Sequence, residues 1–205
     1  MGFGKSLIDL SEGKVWSKAI KEWNYTGNIE EDSNCQSSCE LCGHSNIKYK
    51  FEIKNEINKN KLYVGSECIN KFNVSAITED GRKLTCSETE EKLKKDKRNF
   101  LKDKNVEYVL NLLIKIASKD EKFKKDSFFE YYKDRGAFTP RQTFLIVYMC
   151  QKYNLECNKK LLKVTIKRKR EQDHLLNMED YKLRLIFDCL SKSQKDKIIH
   201  KINVK

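Results

Sequence analysis

Four of the eight cysteines in this chain crowd into one short stretch, at Cys35, Cys39, Cys42 and Cys68. Cys39-Glu-Leu-Cys42 spaces two thiols so that both can grip one tetrahedral ion. Gly43 follows and eases the tight turn that aims amide hydrogens at the sulfurs. Val64-Gly-Ser-Glu-Cys68 brings a third thiol to the expected start of a helix, where the N-terminus favours an anion and lowers a thiol pKa. Soft sulfur donors in tetrahedral geometry select zinc over hard cations. Cys35, Cys39, Cys42 and Cys68 are therefore assigned to one structural Zn2+. Cys35 is chosen as the fourth ligand, and His44 is its rival although it follows Cys42 by only two residues; Cys86 is a distant third. A catalytic zinc would need an open position and a proton-transfer group, and Glu40 and Glu67 lie close in sequence. The deaminase pattern of His-x-Glu followed by Pro-Cys-x-x-Cys is absent, so no enzyme is expected, with a zinc hydrolase as the remote alternative.

These ligands need elements to position them. Ile47, Tyr49, Phe51 and Ile53 alternate with Lys48, Lys50 and Glu52, the period of a half-buried strand. The segment 55–60 supplies a turn, and Lys61-Leu-Tyr-Val64 the return strand. Gly65 breaks that strand, Ser66 is the expected N-cap, and Ile69 and Phe72 face inward on a short helix. Upstream, residues 14–23 predict a helix with Val15, Trp16, Ala19, Ile20 and Trp23 on one face, and the polar run 30–34 reads as a separator.

From Ser87 onward the pattern is helical. Capping boxes are expected at Ser87–Glu90, Thr139–Gln142 and Ser191–Gln194, the second with Pro140 at the first helical position. The first opens a long basic helix, and residues 106–116 then carry an apolar face. Residues 126–132 form a helix ended by Gly136, and 144–153 are the buried centre. Residues 162–168 alternate like a short strand, and 179–202 give two closing helices. Cys150 and Cys189 read as core residues. The expected class is α+β, mainly α: a zinc-stapled β-hairpin and short-helix module followed by a helical domain. The expected divisions are 1–34, 35–86 and 87–205.

The string Cys39-Glu-Leu-Cys42-Gly-His44, Ile47-Lys-Tyr-Lys-Phe51, Ile53-Lys-Asn55 and Val64-Gly-Ser-Glu-Cys68-Ile-Asn-Lys-Phe72 resembles a small zinc-binding module. That module recurs in poorly characterised proteins of phages, plasmids and large DNA viruses. The resemblance implies a metal-stapled unit tied to mobile genetic elements, and no reaction. Many such modules carry a further cysteine just before the last one, where this chain has Ser66, and this departure leaves the fourth ligand open.

The 205 residues include 42 Lys/Arg and 30 Asp/Glu, a net +12 that attracts polyanions. No stretch is apolar enough to span a bilayer, and residues 1–14 lack the apolar run of a signal peptide, so a cytoplasmic address with reduced thiols is expected. Residues 159–205 alone hold 14 Lys/Arg against 6 Asp/Glu. AT-rich coding also enriches lysine, but the concentration of charge in one region points to phosphate contacts. Lys163, Lys167, Arg168, Lys169 and Arg170 are the expected nucleic-acid ligands, for DNA or RNA. The interrupted tract 92–98 reads as a solvated helix face. The Gly2–Ser6 stretch lacks the glycine spacing of a phosphate loop. Its match to a myristoylation pattern is set down to chance. The expected function is a non-enzymatic, zinc-containing nucleic-acid-binding protein of a phage or mobile element. The alternative is a protein-binding inhibitor of a host nuclease or nucleoprotein complex, in the manner of an anti-CRISPR.

Overall fold

The stretch before the cysteine module contains a strand that sequence polarity concealed. In the computed structural model, which describes residues 4–199, helices α1 (Lys5–Asp9) and α2 (Trp16–Ala19) and a 3-10 turn (Ile20–Glu22) lead into β1 (Trp23–Glu31). The run read as a separator ends this strand: Glu30 and Glu31 pair with Lys50 at 2.9 Å and Lys48 at 3.3 Å. Such cross-strand charge pairs give an edge the composition of a linker. The region 1–34 is thus joined by strand pairing to the cysteine module instead of standing apart from it. Gly2, with its phosphate-loop and myristoylation patterns, lies outside the described residues, as do residues 200–202, which the sequence assigns to the last of the closing helices.

The hairpin forms as the alternation predicts, with β2 (Tyr49–Asn55) and β3 (Lys61–Val64) antiparallel. Phe51 lies opposite Val64 and Ile53 opposite Leu62, and all four are buried. The Asn55 side chain accepts from the Ile57 and Asn58 amides to close the turn. Gly65, in extended geometry, caps α3 (Ser66–Lys71), so Ser66 is its first residue rather than its cap. A short strand, β4 (Ser75–Ala76), runs parallel to β1, and the sheet order is β3-β2-β1-β4. Between Tyr25 and Ile29 the β1 register shifts around Gly27, whose φ of 96° suits glycine alone. There Glu52 is buried, held by Lys61 at 2.8 Å and Asn28 at 3.1 Å.

Helix α4 (Cys86–Ala117) begins at a box two residues upstream of the expected one. Glu88 accepts from the Thr85 amide at 2.8 Å and its own amide donates to the Thr85 hydroxyl at 3.3 Å. The Arg82 guanidinium bound to Glu88, with the Thr85 bonds added, draws that carboxyl down to about 2. Arg82 explains why this glutamate was used and not Glu90. The chain forms two compact units, Met1–Leu101 and Lys102–Lys205, with the boundary inside α4 rather than at 86/87. Leu93 and Thr89 account for that placement: both are buried, Leu93 in the first unit's core, and Thr89 accepts from the Ala76 amide at 3.1 Å.

The second unit packs the end of α4 with α5 (Lys125–Arg135), α6 (Pro140–Lys152), α7 (Lys169–Leu176), α8 (Asp180–Ile186) and α9 (Lys192–Asp196). Val109, Leu113, Ile116, Phe138, Ile146 and Leu183 form its core. Thr139 and Gln142 make the expected box at α6, and Ser191 and Gln194 that at α9. Gly136 ends α5 with φ 65°. Residues 162–168 are only a single bridge, Phe138 to Val164, rather than a strand. Side-chain amides take the place of a second ladder: Gln194 donates to the Val164 carbonyl at 2.8 Å and Gln172 to that of Ile166 at 3.1 Å. Replacing Thr139 by alanine should cost about 1 kcal/mol by urea denaturation. Ile146→Ala, which empties a wholly buried site, should cost about 2–5 kcal/mol in the same assay.

Candidate metal centre and basic clefts

The connection from Asp32 to Lys48 has no regular structure and is held by side chains. The Asp32 carboxylate accepts from the amides of Asn34, Gln36 and Ser37 and from the Ser37 hydroxyl. Cys35 sits in that turn with φ 52°, its amide bonded to the Asp32 carbonyl. Further on, the Cys39 amide donates to the His44 carbonyl and the Gly43 amide to the Cys39 carbonyl, both at 2.8 Å. Gly43, at φ 74°, makes this double closure possible. Leu41 between the two cysteines is buried in the core, and the Gly4 amide donates to its carbonyl at 3.0 Å.

Glu40 fastens the same turn to the sheet. Its amide donates to the Tyr63 carbonyl at 3.1 Å and its carboxylate accepts from the Tyr63 amide, which closes the outer edge of β3. The sequence points only to a proton-transfer role for Glu40. Nothing in a Cys-x-x-Cys spacing announces that its second residue pairs with a strand.

These contacts bring Cys39, Cys42 and Cys68 together, with ligand atoms all within 4.8 Å of one another. The Cys68 sulfur lies 3.5 Å from that of Cys39 and 3.3 Å from that of Cys42. A disulfide would need about 2.05 Å, whereas a tetrahedron with metal–sulfur bonds of about 2.3 Å has edges of about 3.8 Å. The group could hold a metal ion, and its donors fit one. The Gly65 amide points at the Cys39 sulfur at 3.4 Å.

Burial raises the Cys42 thiol, but the His44 amide and the thiols of Cys68 and Cys39 outweigh it and leave the pKa below the ordinary value. Cys68 moves the other way, pushed up by burial and by hydrogen bonding to Cys42 and Cys39. The helix start alone would lower it, but that effect does not win against desolvation and two neighbouring thiols.

Cys35 is not part of the three-thiol group; the Asp32 turn holds it elsewhere in the connection. A cavity of about 240 Å³ opens beside the thiols, and His44, Ser66, Glu67 and Lys97 line it with them. His44, the rival ligand, and Ser66, the position where similar modules carry cysteine, thus both lie beside the three thiols. Cys86 is exposed at the start of α4. In the second unit Cys150 and Cys157 share a hydrogen bond beside Cys189. They are not a ligand group of the kind Cys39, Cys42 and Cys68 form among the described residues.

The five cations expected to bind phosphate all lie in the second unit and are exposed, but they do not share one face. Lys163 and Lys167 line a cleft of about 780 Å³ together with Arg135, Lys160 and Lys195, opposed there by Asp188. Arg168 and Arg170 line another, of about 530 Å³, with Arg141, His174 and Glu171. Lys169 lines neither. Lys160 stands beside the basic tract in sequence, but Arg135, Arg141 and Lys195 arrive from separate elements, and no local run of charge marks them. The tract 92–98 is a solvated face only in part: Lys94, Lys95 and Arg98 are exposed and Lys94 pairs with Glu90 one turn away. Leu93, by contrast, is buried, Lys92 pairs with half-buried Asp96, and Lys97 lies over the Tyr49 ring at 4.5 Å.

Charge is divided unequally between the units. Lys102–Lys205 holds 25 Lys/Arg against 14 Asp/Glu, a net +11 that leaves +1 of the chain's +12 for Met1–Leu101. Among the described residues no helix is long and apolar enough to cross a membrane. No protein-family model matches the chain, and no curated protein or solved structure does. Elemental analysis should find that Cys39→Ser, Cys42→Ser and Cys68→Ser each lose stoichiometric metal and melt at lower temperature. Cys35→Ser should retain both the metal and the melting temperature of the parent.

Proposed function

We propose that this chain is a non-enzymatic, zinc-containing nucleic-acid-binding protein of a phage or mobile element. The observation that carries the reading is the gathering of almost all net positive charge on the second unit, eight of whose cations line two clefts. A protein that needed charge only for solubility would spread it over both units. Five cations around one concave surface, lined by a single carboxylate and with only Arg135 drawn into an ion pair among the described residues, to Asp134, instead present an electrostatic footprint for phosphates. Contacts of this kind give affinity with little choice of sequence.

Zinc suits the first unit because three thiolates are soft donors at tetrahedral spacing. When bound, it supplies a cross-link between the Cys39–Cys42 turn and α3. Its role in this reading is structural, since that turn belongs to a connection with no ladder of its own. The resemblance of the cysteine module supports the link to mobile elements.

Anisotropy of labelled DNA and RNA oligonucleotides across a salt series tests the reading. Roughly five phosphate contacts should make log K fall with log salt at a slope of about −4. Lys163→Gln combined with Lys167→Gln should reduce that slope by about two. Absence of binding at low salt would sink the proposal. Capture of a host nucleoprotein in that case would favour the inhibitor reading instead.

A further inference from the structure

The 530 Å³ cleft differs in kind from its larger neighbour. It lies at the junction of α5, α6 and α7, and its walls are Phe128, Tyr131, Phe144 and Leu145 as well as three arginines. Arg141, Arg168 and Arg170 form no ion pair with a carboxylate among the described residues. The one acid in the cleft, Glu171, is already engaged: it accepts from the Arg168 amide at 3.1 Å and from the Tyr131 hydroxyl at 3.5 Å. Guanidinium groups without carboxylate partners, beside apolar walls, match a ligand with both an anionic and a flat apolar part.

The rings continue outside the cleft. Phe144 stacks on Tyr148 at 5.9 Å with an interplanar angle of 26°, and meets Tyr181 edge to face at 6.3 Å. Tyr148 and Tyr181 are 47% and 59% exposed, unusual for large rings that are not covered by anything in their own unit. The Lys182 ammonium lies over the Phe144 ring at 5.6 Å and the Tyr181 ring at 5.3 Å. Aromatic faces interleaved with cations are what successive unpaired bases and their phosphates require. A duplex keeps its base faces stacked inside and cannot offer them to protein rings.

Resting on the nucleic-acid reading above, we propose that this cleft and the Phe144–Tyr148–Tyr181 ring cluster bind single-stranded nucleic acid. Bases stack on the rings, and phosphates meet Arg141, Arg168 and Arg170. The larger cleft, with lysines and no ring cluster, contacts backbone alone and serves single strand and duplex alike.

The test measures affinities of the full chain for a labelled oligothymidylate, an oligouridylate of the same length and a duplex, at one salt concentration. The single strands should bind at least about tenfold more tightly than the duplex. Their order relative to each other reports whether DNA or RNA is preferred. Tyr148→Ala with Tyr181→Ala, at exposed positions, should abolish the preference and leave duplex binding unchanged. Phenylalanine at both positions should restore it, because stacking needs the ring and not the hydroxyl. Arg141→Gln with Arg170→Gln should weaken single-strand binding by about tenfold or more, with a smaller effect on duplex. Equal affinity for all three polymers, or a preference that survives the alanine pair, overturns this inference while leaving the broader reading intact. Failure to bind any of them overturns both.

Discussion

Three thiols, with Cys68 3.5 and 3.3 Å from the other two, are a constraint before they are a site. Ionised together they repel; protonated they are three small, weakly bonding groups. The opposed displacements of the Cys42 and Cys68 pKa values express that conflict, and a divalent cation, once bound, would resolve it. Much of the first unit is arranged around the same point. The Cys39–Cys42 turn places Leu41 in the core, lends Glu40 to the free edge of β3, and gives the Gly4 amide its acceptor. Without convergence of the sulfurs, an irregular connection would have to hold a core residue and a strand edge on a few turn hydrogen bonds.

The second unit solves a different problem. The first unit compensates its charges locally, through Glu30–Lys50, Glu31–Lys48, Glu52–Lys61 and Lys92–Asp96. The second keeps much of its positive charge on concave surfaces, where low-dielectric walls concentrate the field. Its stability comes from an apolar core and from well-made helix starts rather than from ion pairs. One chain thus combines an electrically quiet module with a strongly cationic one.

Legibility followed the range of the interactions. The hairpin was readable because a period of two and an asparagine-rich turn are written locally, and the capping boxes at Thr139 and Ser191 are three-residue signals. Cys39, Cys42 and Cys68 were readable because ligand spacing in a knuckle is local and the hairpin returns the third. β1 was hidden because its outer end is stabilised by pairing with Lys48 and Lys50, invisible until the partner strand is in place. Cys35 was placed with the metal ligands by proximity in sequence alone, whereas the Asp32 carboxylate decides where it sits. The alternation at 162–168 was real, with Leu162 and Val164 buried and Lys163 and Lys167 exposed, but extended backbone does not become a strand without a partner ladder. The clefts were half legible: a run of cations announced one side of each, and the opposite walls came from helices far along the chain.

The extended segment that carries Lys163, Lys167 and Arg168 is bridged by Phe138, made before it, and takes its side-chain fixings from residues made after it. The Ile166 carbonyl receives Gln172, and the Val164 carbonyl receives Gln194, thirty positions later. On a ribosome, where synthesis proceeds from the N-terminus, the unit with the three thiols is made before either glutamine has been translated. The wall of the larger cleft gains its last side-chain fixing only when α9 docks. A chain truncated before Gln194 would keep the Phe138 bridge but leave the Val164 carbonyl without its side-chain donor, and one face of the larger cleft would lose its tie to α9.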